Sequence, residues 1–446
     1  MRSPILRRVI AALVIAAVLI ATAAPTFLRT WSGRKNPDDF KVVYSAARAM
    51  WSQVDIYAGT AGMYIYSPFM AFIFQPLAPL PESAAANVWL VLSVAIILLA
   101  SIIAARKVAE NWRLSSRETD PSIPWMISAT ALLLSVGKIR SDLYLGQTDC
   151  LILIGLVGVL WWMDRRPLLA GIAAGATANV KYLALIFVPY FLIKRNYRAA
   201  FAAILSFLLF FALPVVEVGF RSIKIFAINA VAVLTKVVGG PELMNLAATG
   251  RSQKPVVNSA AWSNSVSLTS AALRFTRSHG IPDFVAATLV LVLFAAIVTA
   301  IVLIGRRKRV DLLKPPTAQN VSKHGEAGTI DWATLIVLAV VFSPQTTSRH
   351  MILLMLVYTV AMGIFFAQKR TSLRVLLIVL MIATALALSL PFRETGHHPG
   401  LITLKSMGVA SWCAVLLILA MAWIGSRTIS ETGEAAEPST PKEPKH

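Results

Sequence analysis

The chain has 446 residues, of which 57% are hydrophobic and only 14% charged, and its mean hydropathy is +0.70. A soluble domain of this size could not hide that much apolar surface, and several stretches reach the ~18 apolar residues that span a bilayer, so a polytopic membrane protein is expected. The formal net charge of +21 fits the Lys/Arg excess of short cytoplasmic loops, and nucleic acid is excluded as a partner.

Residues 1–28 open with Arg2, Arg7 and Arg8, continue through an apolar core and close on the small residues of "ATAAP". A cleaved signal peptide has this outline. The apolar run is long, however, and further spans follow, so a retained signal-anchor that forms the first transmembrane helix is expected. Residues 29–83 are too long for a turn and form a first outer loop. Within it, "DDFKVVYSAARAMW" places Phe40, Val43, Tyr44, Ala47 and Met50–Trp51 on one helical stripe, as in a helix lying on the membrane surface. Asp38 suits the N-cap of that helix and Asp39 its first turn. "SPFMAFIFQPLAPLP" is bounded by prolines and too short to cross, so a re-entrant segment roofing a cavity is expected.

Residues 84–216 hold apolar runs near 84–105, 123–137, 147–163, 167–180, 181–194 and 197–216, expected to be transmembrane helices two to seven. A second large outer loop spans 217–280. Residues 281–425 hold runs near 281–305, 331–344, 349–367, 372–391 and 402–425, and the polar tail 426–446 reads as disordered and cytoplasmic. The fold class is an all-α bundle of about 12 transmembrane helices. With the N-terminus inside, every inside loop is basic near its membrane ends: Arg106, Lys107, Arg113 and Arg117; Arg165 and Arg166; Lys194, Arg195 and Arg198; Arg306 to Arg309; Lys369, Arg370 and Arg374. This predicts a multi-pass protein of the inner (plasma) membrane. Cys150 and Cys413 lie in apolar runs far apart and supply neither a disulfide framework nor a metal spacing.

On that topology six polar clusters share the outer face: Asp38–Asp39, "KIRSDLYLGQTD" (138–149), Asn179 with Lys181, "WSNSVS" (262–267), "SPQTTSRH" (343–350) and "PFRETGHH" (391–398). Ionisable groups at membrane depth are costly, so each is a functional candidate. Plainer roles stand beside them. Lys138, Arg140 and Lys181 could snorkel to headgroups, Arg349–His350 could cap the tenth span, and His397–His398 could be an exposed loop pair. Basic groups at an outer cavity would hold a lipid phosphate, a lone carboxylate opposite them could take a proton from a hydroxyl, and positive charge would steady the departing phosphate. That combination suits sugar transfer from a lipid phosphate to an acceptor hydroxyl. A lipid flippase or small-solute transporter would want ionisable groups in mid-span and repeat symmetry, neither of which is visible. A non-catalytic scaffolding partner would bind polyprenyl phosphate without turning it over. No metal site and no cofactor are expected.

The words themselves resemble a known family. "DDFKVVYSAARAMWSQVDIYAG" followed by "YIYSPFMAFIFQPLAPLP" is similar to the opening of glycosyltransferase family 87. "LYLGQTDCLILIGLVGVLWW" resembles its Gly-Gln-x-Asn turn, and "LLAGIAAGATANVKYLALIFVPYF" its Gly…Lys segment. "WSNSVSLTSAALRF" resembles its Asn-Gln-Ser helix start, and "FSPQTTSRHMILLM" its Ser-Pro…His-His turn. Four positions depart from the pattern: Asp149 for Asn, Ser265 for Gln, Arg349 for the first His and Ala184 for a Pro. The resemblance implies a GT-C-type bundle and inverting transfer of a sugar, commonly mannose. The donor would be a polyprenyl-phosphate sugar and the acceptor a hydroxyl of a glycolipid or polysaccharide, on the extracytoplasmic face among membrane lipids. It implies Asp39 as general base with Asp38 as neighbour or auxiliary. Matched to the family's motifs are also Lys181, Gln147 and His350; taken with the outer polar clusters, the donor phosphate is expected at Lys181, Arg140, Arg349 and His350, and substrate contacts at Tyr44, Tyr66, Gln147 and Asn264.

Overall fold

The computed structural model describes residues 3–33, 35–57, 64–114, 120–237, 260–315, 324–344, 346–390 and 399–434. Regular structure among them is helical, apart from one isolated antiparallel bridge between Ser265 and Thr347. The helices are α1 Pro4–Trp31, α2 Asp38–Trp51, α3 Pro68–Phe74, α4 Glu82–Asn111, α5 Ile123–Leu134, α6 Val136–Leu145, α7 Asp149–Trp162, α8 Pro167–Val180, α9 Phe187–Ile193, α10 Tyr197–Ala212, α11 Val215–Val237, α12 Leu268–Ser278, α13 Asp283–Arg307, α14 His324–Phe342, α15 Leu354–Ala367, α16 Thr371–Leu388, α17 Pro399–Ser406 and α18 Val409–Glu434. Seven are long and apolar enough to cross a membrane: α1, α4, α13, α14, α15 with the turn before it, α16 and α18. The other expected spans are apolar helices of 10–17 residues, so the molecule is an all-α polytopic membrane protein.

Several boundaries differ from expectation. The run near 123–137 is two helices, α5 and α6, meeting at Ser135. The second outer loop contains α11, kinked at Gly219 (φ 68°), and α12. Helix α18 continues to Glu434 rather than ending near 425.

Polar tethers define the two ends of the bundle. At one end Asn36 donates to Glu82 (2.9 Å) and Arg29 to the Tyr144 carbonyl (2.8 Å), bringing together the end of α1 and the starts of α2 and α4 with the end of α6. At the other end Arg165 pairs with Glu110 (2.8 Å), Lys194 with Asp331 (2.7 Å) and Arg7 with Asp120. At 1.5 Å per residue α4 separates the ends by about 45 Å.

Within the bilayer packing cannot draw on expelled water, so close backbone approach and shape carry it. Gly171 and Gly175 of α8 press on α10, where a Cβ at Gly171 would sit 2.8 Å from Ala202 Cβ and one at Gly175 2.7 Å from the Phe207 nitrogen. Helix α15 is the hub, buried all round from Leu354 to Ile364 between α4, α5, α14, α16 and α18. Helix α2 buries Phe40, Val43, Tyr44, Ala47 and Met50 and leaves Trp51 exposed, while Trp31 is exposed at the end of α1. Its N-cap is Pro37 rather than Asp38. Both aspartates therefore lie inside the first turn, where their charge complements the helix dipole. Below α2 lies α3, with the Phe74 ring between Phe40 (centroids 6.3 Å) and Trp89 (4.5 Å).

Candidate active site

The site is built where the tethered end gathers five chain segments. Helix α2 delivers Asp39. The α6–α7 turn delivers Gln147, and it reaches α2 because Gly146 adopts φ 66° and carries no side chain. A Cβ there would stand 2.6 Å from Phe40 Cβ and 2.8 Å from Pro37 Cβ. Gln147 Nε2 donates to Asp39 Oδ2, and Arg349 Nη1 donates to the same oxygen at 2.7 Å. Asp39 Oδ1 has no hydrogen-bond partner among the described residues, and the side chain is about one third exposed. Burial lifts the Asp39 carboxyl above the usual carboxylate range, against the opposing pull of Arg349, Lys181 and Gln147.

Arg349 is held by a serine- and threonine-rich seam. Val266 N–H donates to the Thr346 carbonyl (2.9 Å), Ser265 Oγ to the same carbonyl (3.0 Å), Ser270 Oγ to the Pro344 carbonyl (2.9 Å) and Thr269 Oγ1 to the Phe342 carbonyl (2.7 Å). The start of α12 thus fixes the turn that carries Arg349 and His350. His350 Nδ1 accepts from the Thr347 N–H at 3.3 Å, which leaves Nε2 as the protonated nitrogen in the neutral ring. Beside this turn Lys181, at the C-cap of α8, donates to Asp149 Oδ1 at the start of α7. Tyr66 interacts electrostatically with Lys181, Asp39, Asp149 and Arg349, and burial raises its phenol above the usual range.

The structure therefore brings Asp39, Gln147, Lys181, Arg349, His350 and Tyr66 together. Asn264 sits half-buried in the turn ahead of the Ser265–Thr347 bridge. Three of the expected site residues stand apart from this cluster. Arg140 is exposed on the far side of α6 and makes no bond into the cluster, because it lies two residues from buried Lys138 and Asp142 and so about 200° round the helix. Tyr44 is buried, stacks on Phe40 at 5.6 Å and spends its hydroxyl on the Leu80 carbonyl, so it braces α2 and does not face a substrate. Asp38 is exposed and paired with Lys35 at 2.9 Å. Residues 391–398, with His397 and His398, lie outside the described residues.

Two residues not singled out as ligands belong to the cluster. Lys138 is buried and donates to Ser348, the residue before Arg349. Asp142 is fully buried with neither oxygen hydrogen-bonded, and Asp149 Oδ2 is likewise unpartnered. The i,i+4 spacing of Lys138 and Asp142 on one face of α6 was the available signal. Among the described residues no group of three or more His, Cys, Asp or Glu could hold a metal ion.

An apolar cavity of about 540 Å³, lined by none of the charged cluster's side chains, runs along α7 and α8. Leu151 and Val180 line the end next to Asp149 and Lys181, and Trp161 and Trp162 line the other, with Phe69 and Ile103 on its walls. Along α7 it extends about 16 Å from Leu151 to Trp162. The charged cluster and one end of this cavity thus sit at the same level along α7 and α8.

The family model of Glycosyltransferase family 87 matches residues 64–315, more than half of the chain. The matched span includes Tyr66, Gln147, Asp149, Lys181 and Asn264, while Asp39 precedes it and Arg349 follows it. Neither the curated proteins nor the solved structures contain a match.

Proposed function

Because the chain belongs to glycosyltransferase family 87, we propose that it transfers a hexose such as mannose from a polyprenyl-phosphate donor to a hydroxyl of a lipid- or polysaccharide-linked acceptor, with inversion and with Asp39 as general base. The observation that carries this is the divided state of the Asp39 carboxylate. Oδ2 is held by Gln147 and Arg349, while Oδ1 is open to accept a proton. The apolar cavity along α7 and α8, whose Leu151–Val180 end lies at the level of the Lys181–Asp149 pair, suits the tail of a lipid-linked donor.

In the proposed step the acceptor oxygen attacks the anomeric carbon as its proton passes to Asp39 Oδ1. The bond from that carbon to the phosphate oxygen breaks, and polyprenyl phosphate departs with the electron pair. Helix α2 and the Gln147 and Arg349 bonds hold the base still, so little orientation is left to pay at the moment of reaction. Lys181, His350 and Lys138 are the groups positioned to receive phosphate charge, and Lys138 is the one whose hydrogen bond goes to a hydroxyl rather than to a carboxylate. We assign the Asp39 end to the extracytoplasmic side of the inner membrane, since the Lys/Arg-rich loops flanking Glu110 and Lys194 lie at the opposite end.

The test is consumption of donor. Purified protein in detergent or nanodiscs is offered a panel of polyprenyl-phosphate sugars with a glycolipid acceptor, and donor loss and product anomer are read by mass spectrometry and NMR. Transfer with inversion from one of these donors is expected. Consumption of none of them, or retention of configuration, would remove the proposal.

A further inference from the structure

At the end of the bundle opposite Asp39 lies a second cavity, of about 820 Å³, lined by Arg8 of α1, Arg106 and Glu110 of α4, Arg113 just beyond α4, and Pro121, Pro124 and Trp125 at the start of α5. Among the described residues three guanidinium groups face one carboxylate, and that carboxylate is already engaged outside the cavity, by Arg165 at 2.8 Å and Lys107 at 3.6 Å. The neighbouring Asp120 is taken by Arg7. Among the described residues Arg8 donates to the Pro121 carbonyl, at 3.2 Å, and is also within electrostatic reach of Asp120. Arg113 stands 3.8 Å from Glu326. Arg106 makes no hydrogen bond or ion pair with any described residue.

A hollow with this charge balance attracts an anion. Guanidinium groups prefer phosphate, whose oxygens they meet two at a time. The setting narrows the source. The cavity opens between the ends of α1 and α4, two helices long and apolar enough to cross a bilayer, so its mouth stands at headgroup level. Its remaining wall, Trp125 with two prolines, offers apolar surface to the glycerol and upper acyl chain beside a headgroup. Basic hollows between transmembrane helices hold anionic headgroups for these reasons.

We propose that this cavity binds a phosphate anion, with the headgroup of an anionic phospholipid as the ligand. It is a separate site from the Asp39 cluster, about one membrane thickness away, and does not depend on the transfer reaction. Bound there, the phosphate ties α1 to the end of α4 through Arg8, Arg106 and Arg113.

Native mass spectrometry in a neutral detergent tests it. The full chain is titrated with dioctanoyl phosphatidylglycerol, dioctanoyl phosphatidylcholine or inorganic phosphate. Phosphatidylglycerol adducts are expected, and phosphatidylcholine adducts are expected to be at least about tenfold weaker. The Arg8→Gln/Arg106→Gln variant should lose phosphatidylglycerol binding by a similar factor. A control removing two exposed arginines elsewhere at the same end, Arg195→Gln/Arg198→Gln, should keep it. Arg106→Gln alone breaks no bond to the described residues, so its partial loss of binding should come with an unchanged melting temperature. Displacement of the lipid by millimolar inorganic phosphate would support the site and make free phosphate an equal ligand, and resistance to it would support the headgroup. Equal binding of both lipids, or equal loss in the control variant, would overturn the proposal.

Discussion

The two oxygens of Asp39 have different surroundings, and the predictions at this scale follow from that difference. Asp39→Asn keeps the shape and an oxygen for Arg349 but removes the proton acceptor. Its turnover should fall by about 10²–10⁴-fold, the usual worth of a general base, with the melting temperature little changed. Near-normal turnover would transfer the role elsewhere. The pH dependence has a definite sign. The base works only when deprotonated, so transfer is lost as pH falls through the Asp39 pKa. Burial raises that value, so the acid limb should stand at a higher pH than for a water-exposed aspartate. Arg349→Ala removes the largest opposing influence and should push the limb higher still, as a pH series of kcat/KM would reveal. An unmoved limb would separate Arg349 from the base. Much of this residue set was legible from ionisable groups placed at membrane ends. What was not legible was rotation about α6. Arg140 and Lys138 look alike as letters, yet one faces outward and the other reaches Ser348.

Among the elements, the α6–α7 turn has the narrowest tolerance. Gly146→Ala would place a methyl against Phe40 and Pro37 at a positive φ, costing about 1–2 kcal/mol in backbone strain alone. It should also draw Gln147 away from Asp39, so a lower melting temperature and a raised acid limb are expected together. Gly137→Ala, in the same helix and with nothing within 4 Å of the added carbon, is the comparison. It should be neutral or stabilising by up to about 1 kcal/mol. An equal effect of the two would show that the turn tolerates a side chain. At this scale hydropathy located the long helices and the buried stripe of α2. It missed α12, because that helix buries only a narrow face, Leu268, Ser270, Leu273 and Thr276, and never forms an apolar run. It also stopped α18 too early, since a helix that projects beyond the lipid continues in polar residues that carry no hydropathy signal.

For the whole molecule, the tethers at the two ends make a topological prediction. Cysteines introduced at Lys35 and Tyr144 should react with a membrane-impermeant maleimide from one side of sealed vesicles, and a cysteine at Arg165 only from the other. The buried native Cys150 should stay silent. Labelling of all three from one side would dismantle the two-ended arrangement. That arrangement leaves two indoles exposed at the Asp39 end of the bundle, Trp31 at the end of α1 and Trp51 at the end of α2 away from Asp39. Indole rings settle where acyl chains give way to headgroups, so the two would seat this end of the bundle at the interface. Under the proposed function, an acceptor hydroxyl would meet Asp39 only when its spacer reached the height at which these rings seat the bundle, so acceptors of other lengths would be transferred more slowly.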